Sequence, residues 1–318
     1  MLDPAECGPA CLSLCQDVQG ETFDYPEEFF KERIHNIRRP RPDDFQIKQA
    51  VEKIKNSKKP IIISGGGVFY SDAMDELGNF AIKHNIPVTQ TVMGYSTMKK
   101  DHSHFVGPIG GLGGKAANNL AKETDLAICI GTKLADFTTG SWANFENPEF
   151  KLVSINIARH DANKHLAEAV IGDAKVTLTE LSNAIGDWKS SDSWHKKSQD
   201  ELKSWNEYVD KESGPTNQEL PSYAHAVGAI YRNSDPTDIA VTAAGGLVGE
   251  VVQVWRPKEL NTHETEWGFS CMSYEISGAL GIKMANPDKD VIAFVGDGSY
   301  LLNNSDIYSS VITNNKLI

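Results

Sequence analysis

Cysteine is scarce. Five cysteines in 318 residues do not make a disulfide framework. Cys7, Cys11 and Cys15 are spaced four apart but lack the paired C-x₂-C spacing of zinc sites, so a metal reading of that cluster is rejected. No apolar run approaches the roughly 20 residues that a membrane span needs. The first residues also lack the charged, apolar and small-residue succession of a secretory leader. Basic charge is in deficit, with 31 Lys and Arg against 43 Asp and Glu, a formal net charge of −12. That balance argues against nucleic acid as a partner, because such binding works by neutralising phosphates. A phosphorylated small molecule remains compatible, since a local loop can overrule the net field. Internal repeats and low-complexity tracts are missing. The expected setting is cytoplasmic, with neither membrane nor nucleic-acid partners.

Hydrophobic residues make up 40% and charged residues 23% of the chain, enough to build more than one core. Residues 1–30 read as the end of something larger, with a short strand in Ala10–Cys15. Residues 31–44 form a Pro- and Arg-rich extended linker, in which Arg38, Arg39 and Arg41 read as solvated charge. Residues 45–185 alternate helix and strand. Ile47, Ala50, Val51 and Ile54 share a helical face, and PIIIS, IPVTQT, DLAICIG and KLVSINI are continuous apolar strands. Such strands between helices predict a parallel sheet covered on both faces, an α/β domain of Rossmann-like type. Residues 186–218 read as a solvated helical linker. Alternation resumes over 219–318, with Ala224, Val227, Ala229 and Ile230 expected to point inward. The chain reaches Ile318 just as Leu317-Ile318 begins what reads as a further strand.

Several glycine clusters fall at strand ends. Gly65-Gly66-Gly67 follows a strand, but Tyr70 stands where a G-x-G-x-x-G fingerprint needs glycine, and Gly114-Lys115 is followed by Ala116, so neither makes a nucleotide motif. Tight turns needing positive φ are the plainer reading. His102 and His104 form an H-x-H pair with no evident third ligand. The sharpest signal is Gly296-Asp297-Gly298-Ser299, which the strand VIAFV delivers to a turn. Asp297 offers a hard oxygen ligand, Gly298 lets backbone approach closely, and Ser299 adds a hydroxyl near a helix start. That set suits a Mg²⁺–diphosphate group. A second strand-end glycine turn, TAAGGLVGE (242–250), belongs to the same α/β unit, and two such turns can grip one phosphate chain.

These residues carry a resemblance. GDGS after a strand, some fifty residues beyond a glycine turn and with the apolar, small-residue segment GFSCMSYEISGALGIKMA between, resembles the diphosphate-binding domain of the thiamine-diphosphate enzymes. KPIIISGGGV, IPVTQT and DLAICIGTKLADFTTGSW resemble that family's central domain, and LCQDVQGE resembles the end of its pyrimidine-binding domain. On these segments the chain is most similar to the branch that hydrolyses a carbon–carbon bond of a cyclic 1,2-diketone in inositol catabolism.

The resemblance implies two cofactors, thiamine diphosphate and Mg²⁺. It implies that Asp297 is a Mg²⁺ ligand and that Gly245, Gly246, Leu247, Gly296, Gly298 and Ser299 line the diphosphate site. It further implies that Met272 wedges beneath the bent cofactor and that a backbone carbonyl near Ser270 meets the aminopyrimidine. By itself Met272 would read as a core methionine. The resemblance also implies a homodimer or homotetramer acting on a small cyclic polyol diketone. Two family residues are not found here: a second Mg²⁺ ligand, an Asn expected beyond Ile318, and a catalytic Glu expected before Met1. Asn314-Asn315 comes before the strand rather than after it and reads as a loop. The expectation is an internal fragment, inactive alone: the tail of one domain (1–30), a linker (31–44), a central domain (45–185), a helical linker (186–218) and the front of a diphosphate-binding domain (219–318). An acetolactate-synthase-like enzyme or a 2-oxoacid decarboxylase is the alternative within the family. A non-catalytic nucleotide-binding module is the alternative outside it.

Overall fold

The computed structural model describes residues 2–8 and 10–318; Met1 and Pro9, within the expected 1–30 tail, lie outside the described residues. Two parallel sheets carry the fold. The first contains β1 (Pro60–Ser64), β2 (Val88–Gln90), β3 (Phe105–Pro108), β4 (Leu126–Ile130), β5 (Lys151–Asn156) and β6 (Glu168–Ile171). Their order, β3-β2-β1-β4-β5-β6, is that of a doubly wound Rossmann-type sheet. The longer and sheet-packing helices of this part of the chain are α1 (Asp44–Asn56), α2 (Gly66–Tyr70), α3 (Met74–His84), α4 (Lys115–Glu123) and α5 (Ala174–Ile185), beside two single-turn helices at Asp136–Thr139 and Arg159–Ala162. Alternate strand residues face opposite layers. Ile62, Ile128 and Ile130 pack with Ile54, Leu77, Phe80 and Leu181, while Ile61, Ile63 and Cys129 pack with Ala117 and Leu120 of α4. This double burial explains why β1 and β4 read as unbroken apolar runs.

A long helix, α6 (Asp192–Glu212), leads to the second sheet. There β7 (Ile239–Thr242) is flanked by β8 (His263–Thr265) and β9 (Val291–Ala293), all parallel. Around it lie α7 (Tyr223–Asn233), α8 (Leu247–Val254), α9 (Tyr274–Ala285), α10 (Asp297–Leu302) and α11 (Ser305–Ile312). Ile318 lies along β9, its N–H donating to Val291 O at 3.0 Å and its carbonyl accepting from Ala293 N at 2.8 Å. The strand expected to begin at Leu317-Ile318 has therefore started to pair. The two sheets meet where Ser96 Oγ accepts from the N–H groups of Thr262 and His263, both at 3.2 Å.

Several expectations change. Ala10–Cys15 forms no strand and is exposed, because no neighbouring strand supplies hydrogen-bond partners. Arg39 and Arg41 are not freely solvated: Arg39 pairs with the buried Asp173 at 3.1 Å and Arg41 with Glu180 at 2.9 Å, fastening 31–44 to α5 and its lead-in. The 186–218 stretch is more than solvated linker. Trp194 is buried, donates its indole N–H to Pro60 O at 2.8 Å and joins the first sheet's core, while Val209 joins the second sheet's core. In α7, Val227 and Tyr231 point inward as Ala229 and Ile230 face solvent, so the buried face is rotated from the expected one. Strands β3, β6 and β8, each four residues or fewer, were not expected.

Candidate functional site

The parallel pairing of β7 with β9 brings the two glycine turns to adjacent strand ends. Ile239, Ala240 and Val241 pair with Val291, Ile292 and Ala293, and Phe294 N extends the ladder to Val241 O at 2.9 Å. Both strands then end in a turn that feeds a helix. After β7 the turn contains Gly245, at φ +81°, and Gly246, which caps α8. A left-handed backbone explains the glycine at 245. A side chain built at Gly245, Gly246 or Gly296 would meet nothing within 4 Å, so the rim of both turns is open space. Leu247 begins α8 and is half-buried.

After β9, Gly296 caps α10 and Asp297 is that helix's first residue. The Asp297 carboxylate is exposed, and its Oδ1 accepts from Gly298 N at 2.8 Å. Ser299 is buried, and its carbonyl accepts from Ser273 Oγ. A Cβ at Gly298 would stand 3.1 Å from Met272 Cε, which places the methionine's tip against this turn. Met272 is 48% exposed, so it is a surface group and not the core methionine its residue type suggests. Ser270 lies two residues before it at φ +54°. The structure thus brings Asp297, Gly298, Ser299 and Met272 together, and sets Gly245, Gly246 and Leu247 on the neighbouring strand end.

Open glycine rims beside an exposed carboxylate fit a diphosphate and one hard cation ligand. No group of three or more His, Cys, Asp or Glu converges on a metal position among the described residues. Asn315 turns inward on its own loop, with its side-chain N–H donating to Thr313 O at 3.1 Å, as expected of a turn rather than a ligand.

Sequence reasoning missed Glu275. Its side chain is fully buried; Oε1 accepts from Ala244 N at 3.2 Å, directly before the glycine turn, and Oε2 has no partner among the described residues. An acidic residue inside the apolar run SYEISGALG was the available signal. Tyr274 beside it is pushed up to about 12 by burial, aided by the charges of Glu264 and Glu266 and by Tyr70, so it stays a neutral phenol at ordinary pH.

The remaining motifs do other work. Gly65 and Gly67 do not have positive φ; they are glycine because the backbone of Gly131 lies against them, 2.6 Å from a Cβ built at Gly67. Gly114 packs on the Trp205 indole, 2.7 Å from such a Cβ. His104 stacks on His195 with ring centroids 4.2 Å apart and meets Asn85 Oδ1 at 3.1 Å, which makes it a packed histidine. All five cysteines are free. No helix among the described residues is long and apolar enough to cross a membrane.

Comparison with known proteins agrees with this geometry. Residues 47–181 match the model of the thiamine pyrophosphate enzyme central domain, and residues 243–318 match that of the thiamine pyrophosphate enzyme C-terminal TPP binding domain. The chain is 37% identical, over an alignment 340 positions long, to the 3D-(3,5/4)-trihydroxycyclohexane-1,2-dione hydrolase of Clostridium perfringens strain 13. It is 38% identical to the protein of that name from Clostridium botulinum strain Alaska E43 and 36% identical to that from Geobacillus thermodenitrificans strain NG80-2. Each alignment covers 100% of this chain and 53% of the relative, so the chain spans about half the length of the curated relatives it matches.

Proposed function

The chain belongs to the thiamine pyrophosphate enzymes, and from that premise we propose that the paired strand ends of β7 and β9 hold the diphosphate of thiamine diphosphate with Mg²⁺. Gly245, Gly246, Leu247, Gly296, Gly298 and Ser299 line the diphosphate, Asp297 is the Mg²⁺ ligand from this chain, and Met272 with the Ser270 carbonyl meets the cofactor's rings. When bound, the cofactor supplies the electron sink for breaking a carbon–carbon bond beside a carbonyl. The protein's part is binding and orientation: backbone N–H groups at two helix starts face the phosphates, and the Asp297 carboxylate holds the cation against them.

The reading assigns the whole protein the hydrolysis of a carbon–carbon bond in a cyclic 1,2-diketone, opening trihydroxycyclohexane-1,2-dione to 5-deoxy-glucuronate in inositol catabolism. It rests on 36–38% identity to proteins bearing the hydrolase name. A cytoplasmic homodimer or homotetramer completes it, with domain limits at 31, 45, 186 and 219. The observation that carries the cofactor site is the pair of open glycine turns on neighbouring strands with Asp297 exposed beside them.

Calorimetric titration with thiamine diphosphate tests it. Binding that needs Mg²⁺ and disappears in Asp297→Ala is expected. Nucleotide binding that survives the change, with no thiamine diphosphate bound, would sink the proposal. Assaying the cyclic dione against pyruvate in the whole protein separates the hydrolase from an acetolactate-synthase-like relative.

A further inference from the structure

We infer that Glu266 is a positioning residue that sets the conformation of the loop carrying Met272. It lies one residue beyond β8, and its own N–H donates to Thr242 O at 3.3 Å, so its backbone is tied to β7. Its carboxylate turns onto the loop that follows. Oε1 accepts from Phe269 N at 2.7 Å and Oε2 from Cys271 N at 2.5 Å. Both carboxylate oxygens are therefore used on two backbone N–H groups of one short segment, the charge-assisted kind of hydrogen bond.

Little else holds that segment. Trp267 anchors the start of the loop against Phe137 and the Val92, Val248 and Val252 cluster, but beyond it Phe269 is 91% exposed and Met272 is half exposed, so packing contributes little to the stretch that carries Met272. Ser270 and Ser273 both have positive φ, at +54° and +79°, a conformation that side-chain-bearing residues resist. The loop's remaining ties are the bond from Ser273 Oγ to Ser299 O and the turn from Tyr274 N to Cys271 O at 3.2 Å. The Glu266 carboxylate spans the first of the two strained serines, and Met272 follows directly, its Cε against the Gly298 turn. With the clamp in place, Met272 has one position relative to the turn that bears Asp297. With the clamp gone, the strained backbone relaxes and Met272 loses that register.

The inference rests on the cofactor reading for its consequence and on the hydrogen bonds alone for its mechanism. On that reading, Met272 meets the rings of thiamine diphosphate, whereas the glycine turns meet only its phosphates. Losing the clamp must therefore weaken thiamine diphosphate without weakening inorganic diphosphate. General destabilisation would weaken both.

The test compares wild type with Glu266→Ala and Glu266→Gln. Amide hydrogen exchange over 266–273 is measured together with Mg²⁺-dependent affinity for thiamine diphosphate and for inorganic diphosphate. Glu266→Ala is expected to speed exchange at Phe269 and Cys271 and to weaken thiamine diphosphate by about tenfold, the scale of one charge-assisted hydrogen bond, while inorganic diphosphate binds as before. Glu266→Gln, which keeps one acceptor, should fall between. Unchanged exchange, equal loss for the two probes, or unaltered thiamine diphosphate affinity with a released loop would each overturn the inference. A wild-type chain that binds neither probe overturns the cofactor reading instead, and the exchange rates still decide whether Glu266 holds the loop.

Discussion

Gly245 and Gly65 show two different reasons for a glycine, and they predict different mutant behaviour. Gly245 needs its left-handed φ but has free space around it, whereas Gly65 has an ordinary φ and the Gly131 backbone in the place of a side chain. Gly245→Ala should cost about 1 kcal/mol of stability, the scale of the left-handed penalty, and should weaken diphosphate binding. Gly65→Ala should cost about 3 kcal/mol or more by overpacking between β1 and β4, and leave diphosphate affinity per folded molecule unchanged. Urea unfolding and diphosphate titration on the two variants check this split; a reversed pattern would refute it. In sequence the two clusters look alike, because a glycine does not state which constraint demands it. The roles of Glu275 and Glu266 were not legible for a related reason. A carboxylate's role is set by which backbone N–H groups the fold brings to it, here those of Ala244, Phe269 and Cys271.

Long apolar runs betrayed β1, β4 and β5 at the level of elements, because a strand buried on both faces cannot hide its composition. Strands β3, β6 and β8 are short and borrow their definition from neighbours already in the sheet. Helix α6 is the instructive miss. Its composition is polar, yet Trp194, Ser198, Leu202 and Val209 are buried along one side. Trp194 fills the space beneath β1 and caps Pro60 O. Trp194→Ala should cost about 3–5 kcal/mol through the cavity it leaves. Trp194→Phe should retain most of the packing and lose about 1 kcal/mol with the indole hydrogen bond. Equal losses in chemical denaturation would show that the bond, not the ring, carries the contribution. Ala10–Cys15 is the opposite case, an alternating pattern with no partner strand and hence no strand.

Acid sensitivity is a property of the whole molecule. Burial holds His263 down to about 4, at the seam between the two sheets. Burial, then the charges of His195 and His102, does the same to His104 where α6 meets the first sheet. His84, His102 and His195 are also lowered, first by burial. The folded chain therefore binds fewer protons than the unfolded one below the ordinary imidazole value of 6.5, so stability is full above that value and falls as pH drops toward about 4. Urea midpoints followed through this range should decline with falling pH, and the decline should flatten in His263→Gln. A midpoint that rises on acidification would contradict the lowered values. The α/β alternation, the strand-end glycines and the GDGS turn can be read from consecutive residues, because apolar period and turn chemistry are local properties. The folded chain adds which turns stand side by side, which glycines are spacers, and which backbone N–H groups each carboxylate meets. Those facts depend on the pairing of β7 with β9 and on approaches between residues far apart in the chain, and a linear pattern does not contain that information.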